Sequence, residues 1–196
     1  MTFPDYAAWR HEDARTGFEV TWFRPHDGGW LVEGATTAAE DGVAWVVRYS
    51  LTVSPQWTLR SARIAGTGPS GTRELEAEAD GNGHWWLDGR PAPHLDGCLD
   101  LDLESSAMTN TFPVHRLALP RGGRAEAPAA YVRAADLSVD RLEQTYEHLA
   151  PGRYGYAAPA FGFTCVLDYD DSGLVTRYPG IAVRHPLDQA SHRAQN

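Results

Sequence analysis

Apolar and polar residues alternate along much of this chain, and the alternation stops repeatedly at glycine or proline. Between residues 43 and 53 the odd positions are Val43, Trp45, Val47, Tyr49, Leu51 and Val53, while Arg48, Ser50 and Thr52 lie between them. A period of two puts these sets on opposite faces of a strand, so this segment has one apolar face. The same reading predicts strands over 19–23, 30–37, 57–66, 72–79 and 84–87, and a shorter one over 129–133. Turns are expected at Asp27-Gly28-Gly29, Asp41-Gly42 and Asp80-Gly81-Asn82-Gly83, the residue types that favour short antiparallel connections. Residues 72–79 interleave Arg73, Glu74, Glu76 and Glu78 with Leu75 and Ala77, which predicts a half-exposed or edge strand. Residues 161–169 alternate as Phe161, Phe163, Cys165, Leu167 and Tyr169, and Asp170-Asp171-Ser172-Gly173 turns them into 174–178.

Two segments resist this pattern. Residues 136–149 place Leu137, Val139, Leu142, Tyr146 and Leu149 at helical spacing, yet Leu142, Gln144, Tyr146 and His148 also alternate. Residues 105–117 open on Ser105 and Ser106, which suit a helix start, but Pro113 lacks the N–H a helix interior needs. A short helix ending before Pro113 is the local prediction.

Composition narrows the function classes. The net charge is −9, Lys is absent and the 17 basic residues are scattered, so no phosphate-neutralising patch points to nucleic acid. No window approaches the apolar run of about 18 residues that a membrane helix requires. The first 15 residues lack the apolar stretch of a signal peptide, so a cytoplasmic location is expected. Cys98 and Cys165 form no CxxC frame, and the eight His form no HxxxH, HExxH or HxH motif; no metal or other cofactor is expected. A GxSxG elbow is absent as well. One domain over 1–185 is expected, with an unstructured tail over 186–196.

The densest stretch, Trp85 to Leu117, reads WWLDGRPAPHLDGCLDLDLESSAMTNTFPVHRL. It resembles the bacterial family called Putative glycolipid-binding, which carries a comparable W-x-x-DG segment, then LDGC-x-D-x-D, followed by TNT-x-P. Ala130-Tyr131-Val132, Gln144-x-Tyr146, Tyr154-x-Tyr156 and Tyr178-Pro179-Gly180 extend the match in the same order. The chain departs from the pattern at Ala107, where Pro is expected, and at His115, where Arg is expected. The resemblance implies a mainly β fold, a long antiparallel sheet rolled around a single short α-helix like the half-barrels of lipoprotein carriers, and a homodimer. It places the helix in 105–117, with Met108, Phe112, Val114 and Leu117 facing the roll, and makes 136–149 a strand.

A sheet rolled on one short helix offers a concave apolar surface able to hold a lipid or glycolipid. On that expectation the ligand-binding candidates are Trp45, Tyr49, Trp57, Met108, Phe112, Tyr146, Phe161 and Phe163, with Arg48, Asn110, Arg116 and Gln144 for a head group. The competing reading is that these aromatic residues simply fill the roll. Alternation puts Cys98, Asp100 and Asp102 on one strand face and Leu99, Leu101 and Leu103 on the other. Asp96, Asp100 and Asp102 form the one acidic cluster, read as structural through turn formation or pairing with Arg116 or Arg90. A hydrolase or isomerase acting through these three carboxylates is the catalytic alternative, and a structural or regulatory dimer without a ligand is the third.

Overall fold

A computed structural model describes residues 3–187. Strands β1 (Tyr6–His11), β2 (Thr16–His26), β3 (Gly29–Glu40), β4 (Val43–Val53), β5 (Leu59–Gly68), β6 (Gly71–Ala79), β7 (Trp85–Leu87) and β8 (Arg90–Pro91) follow one another as an antiparallel meander. Asp27-Gly28, Asp41-Gly42 and Asp88-Gly89 supply the two-residue turns β2–β3, β3–β4 and β7–β8, with both residues of each at positive φ. That geometry is what the right-handed twist of a hairpin demands, and Asp-Gly tolerates it.

Strand β9 (Asp100–Leu103) is followed by helix α1 (Thr111–Leu117) and by β10 (Arg124–Glu126), β11 (Ala129–Val132) and β12 (Val139–Leu142). The chain then continues through β13 (Thr145–Ala150), β14 (Arg153–Ala158), β15 (Phe163–Tyr169), β16 (Val175–Tyr178) and β17 (Ala182–Arg184). A 14-stranded sheet runs in the order β10, β13 to β17, then β1 to β8. The antiparallel β17–β1 pair, with Trp9 opposite Arg184, joins its two halves. Its ends, β10 and β8, do not pair with each other, so the sheet rolls without closing into a barrel.

A small sheet, β12-β11-β9, lies inside the roll. In the parallel β9–β11 pair Leu101 stands beside Ala130 and Leu103 beside Val132, and these four pack with Val47, Leu51, Ile64 and Phe112 in the core of the first half. The opposite face carries Asp100, Asp102 and Tyr131 and looks toward Tyr146, Tyr154, Tyr156 and Tyr169 of the second half. Burial of the apolar face drives the roll; the polar face builds the site.

The mainly β architecture and the single α-helix match the expectation, and several boundaries need correction. Helix α1 runs through Pro113 instead of stopping before it, because the helix starts at Thr111 and Pro113 falls in the first turn, where no intrahelical N–H is used. Trp57 is not in a strand: its φ of 63° closes the turn from Ser54 to Thr58, and the ladder starts at Leu59. Phe161 ends a 3-10 turn, Pro159–Phe161, so the hairpin strand begins at Phe163. Residues 136–149 are two strands in two sheets, β12 and β13, parting after Leu142. The alternation is real, since Leu142, Gln144 and Tyr146 are all buried. Strands β1, β8, β10, β14 and β17 escaped the sequence reading. Of the tail over 186–196, residues 188–196 lie outside the described part.

Strand β6 is half exposed, with Leu75 and Ala77 inward, and β7 covers it only from Ala77 to Ala79. No described helix is long and apolar enough to cross a membrane.

Candidate functional site

Asp102 owes its position to β9. Strand alternation turns Asp100 and Asp102 away from the leucine core, and the parallel register sets Tyr131 beside Asp102. Glu104, just past the strand, continues the same face, its Oε2 accepting the Ala134 N–H at 2.7 Å. Across from this face stand Tyr156 and Ala158 of β14, Phe163 of β15 and Tyr178 of β16. Between the two walls is a cavity of about 280 Å³, completed by Arg15, Leu103, Ser106, Asn110, Leu142, Phe161 and Ile181. Its rings meet edge to face or tilted: Tyr131 lies 5.4 Å from Phe161, Tyr156 5.9 Å from Tyr178, and Phe163 6.0 Å from Tyr178. Phe161 is 51% exposed and forms the mouth.

The polar groups of the cavity are held from behind. Asn110 Oδ1 accepts the Tyr146 hydroxyl at 2.8 Å, and its carbonyl accepts the Tyr169 hydroxyl at 3.1 Å. Asp102 Oδ1 accepts from Thr109 Oγ1 at 3.1 Å. Ser106 donates to Glu19, which also accepts the Tyr49 hydroxyl at 2.7 Å and the Ala107 N–H at 2.9 Å. Arg15 enters from the loop between β1 and β2, buried beside the ring of Trp45 at 5.3 Å.

Burial pushes the Asp102 carboxyl up to about 6, with the Asp100 and Glu104 charges adding to it and the Thr109 hydrogen bond opposing. A group whose folded pKa is raised stabilises the fold fully below its unfolded value, near 3.8, and that contribution is lost as pH rises through about 6. Asp102→Asn removes this titration while keeping shape. The variant is expected to gain on the wild type as pH climbs from 4 to 7, by up to about 3 kcal/mol. His11, pushed down to about 4 by burial and by Arg15, tilts both proteins the other way, so the difference between them isolates Asp102. Urea unfolding at stepped pH reads it; parallel curves for the two proteins would refute a raised carboxyl.

Of the sequence candidates, the structure brings Asn110, Phe161, Phe163 and Asp102 to this cavity. Met108 and Phe112 are fully buried in the core of the first half, and Tyr49 and Tyr146 spend their hydroxyls on Glu19 and Asn110. Gln144 is buried, its backbone carbonyl taking the Ala127 N–H at 2.8 Å. Trp57 stacks on His115 at 4.0 Å, and Trp45 lines a separate cavity with Gly66 and Leu137. Arg48 is exposed on the outer face near Arg63, Glu74 and Glu76. The acidic cluster disperses: Asp96 is exposed, Asp100 is clamped by Arg116, and only Asp102 reaches the cavity. Burial pushes the thiols of Cys98 and Cys165 up to about 11 and about 12, so both stay protonated and poorly nucleophilic. Arg15, Glu104, Tyr131, Tyr156 and Tyr178 were not singled out as site residues by the sequence reading; the Tyr-x-Tyr and Tyr-Pro-Gly motifs were the available signal for the last two.

A comparison with curated proteins finds no match. A β-barrel-like protein of the DUF1849 family from Brucella abortus aligns over 91% of this chain and 93% of its own, at 11% identity and a TM-score of 0.42. A crystal structure of a DUF1089 family protein from Pseudomonas aeruginosa superposes with a TM-score of 0.78 at 36% identity, over 85% of this chain and 92% of that one. The family model described as Putative glycolipid-binding matches residues 6–184. With the motif-rich stretch over β7 to α1 inside that match, the chain belongs to the Putative glycolipid-binding family.

Proposed function

We propose that this protein binds the polar head group of a sugar-bearing amphiphile in the cavity between β9 and the tyrosine wall. The observation that carries the reading is the composition of that cavity: the rings of Tyr131, Tyr156, Phe161, Phe163 and Tyr178 together with Asp102, Glu104, Ser106, Asn110 and Arg15. Sugar rings offer apolar C–H faces to aromatic side chains and hydroxyls to carboxylates, amides and guanidinium groups. The volume of about 280 Å³ is near the lower end of ligand pockets, which supports a head group in place and not a whole acyl chain. The concave face expected to hold the chain is packed with the leucines of β9 and with Met108 and Phe112. In this reading the hydrocarbon leaves past Phe161, whose ring is apolar surface at the mouth. The family name supports glycolipid as the ligand class.

Calorimetric titration with octyl glucoside below its micelle concentration tests this. Saturable one-site binding is expected, weakened at least tenfold by Phe163→Ala, about 1.4 kcal/mol, and unchanged by Arg48→Ala on the outer face. No saturation, or equal affinity for the Phe163→Ala protein, would sink the reading.

A further inference from the structure

We propose that Arg15 makes this cavity an oxyanion site, so that the head group it takes carries a phosphate or a carboxylate. The inference rests on the head-group reading above and adds the charge of the ligand. The loop that carries Arg15 is pinned to the second half of the sheet: Glu12 N–H donates to the Ile181 carbonyl at 2.9 Å and Ala14 N–H to the Gly180 carbonyl at 3.0 Å. These bonds, with the Arg15 N–H donated to the Glu12 carbonyl at 3.1 Å, fix the backbone leading into the arginine, whose side chain turns inward; the residue is 8% exposed.

A guanidinium stays charged at any pH the fold survives, and it presents five donors in one plane. Here Nε and Nη1 are buried and have no hydrogen-bond partner among the described residues. The Glu40 carboxylate lies 3.9 Å from Nε, close enough to offset charge but too far for a hydrogen bond. Trp45 covers one face of the group without accepting a proton in its plane. A buried, unsatisfied donor costs roughly 1–3 kcal/mol, so a fold that keeps such donors beside a cavity gains when acceptor oxygens arrive. Phosphate and carboxylate oxygens are the strongest acceptors for a planar fork of N–H groups.

The charged side chains facing the cavity are Arg15, Asp102 and Glu104, together with the phenols of Tyr131, Tyr156 and Tyr178. Glu104 has one oxygen committed to the Ala134 amide. Asp102, which burial pushes up to about 6, takes up a proton more readily than a surface aspartate, and in that form it donates to an oxyanion held beside Arg15.

The test titrates the full chain with octyl glucoside, octyl glucuronide and inorganic phosphate. The glucuronide differs from the glucoside by one carboxylate, and tenfold or tighter binding of it is expected. Arg15→Gln should erase that preference, bringing the glucoside and glucuronide affinities together, and Arg15→Lys should keep only part of it. Phosphate alone displacing the glucoside, in an Arg15-dependent way, would support the same site with a free oxyanion as its occupant. Equal affinity of the wild type for glucoside and glucuronide overturns the inference while the head-group reading stands, and it decides the matter even where the Arg15 variants fold poorly. Absence of binding by all three probes overturns both.

Discussion

Glu19→Ala is expected to destabilise the fold by about 3–5 kcal/mol, among the largest effects of any single substitution in this chain. Glu19 is fully buried on β2, and its carboxylate accepts from Ser106, from the Tyr49 hydroxyl and from the Ala107 N–H. Truncation strands all three donors, each at roughly 1–3 kcal/mol. The same carboxylate ties the loop before α1 to the large sheet, because Ser106 and Ala107 precede the helix and Tyr49 belongs to β4. Gly34 makes the reach possible: the Tyr49 ring lies across it, and a Cβ there would come within 2.4 Å of the ring. Ala107 is informative too, since the proline expected at this position would have no N–H to give. Glu19→Gln keeps an acceptor and should cost less than the alanine variant. Urea unfolding would show a lowered midpoint at unchanged slope, and thermal unfolding a fall of roughly 10 °C. A midpoint within 1 kcal/mol of wild type for Glu19→Ala would mean that the network contributes little.

Arg116→Ala should cost a similar amount, about 3–5 kcal/mol, through a different physical route. Arg116 Nε donates to Asp100 Oδ1 at 3.0 Å and Nη2 to Oδ2, a two-pronged pair whose carboxylate is 1% exposed. Removing the guanidinium leaves a buried negative charge with nothing to offset its lost hydration. Burial already pushes the Asp100 carboxyl upward, and Arg116 opposes that; without Arg116 it rises further. The damage should therefore shrink as pH falls and Asp100 takes a proton, and it should shrink at neutral pH in an Asp100→Asn background. A loss of the same size in both backgrounds would show that Arg116 acts through packing alone. Either way Arg116, a head-group candidate by sequence, is engaged inside the structure.

The meander of β2 to β6 was legible because Asp-Gly turns and alternation depend on residues a few positions apart. Asp100 and Asp102 sharing one strand face, opposite Leu101 and Leu103, was legible for the same reason. Strand β2 shows where such reading stops. Its inward residues are Glu19, Thr21 and Phe23, while Val20 is only partly buried and Trp22 is 44% exposed. Hydrophobicity alone favours the opposite face, and the inversion holds because distant donors from β4 and the loop before α1 satisfy Glu19.

Local spacing therefore determined the β class, the hairpins, the acidic strand and, through its motif, the family. Tertiary structure decided the rest: which half of the sheet each face of β9 meets, that Asp100 is clamped while Asp102 opens on a cavity, and that Arg15 ends there with unpaired donors. Those facts depend on pairing between segments far apart in the chain, such as β1 with β17 and β9 with β11. A side chain's partner, hydration and charge state are set by what packs against it, and no periodicity along the chain encodes that.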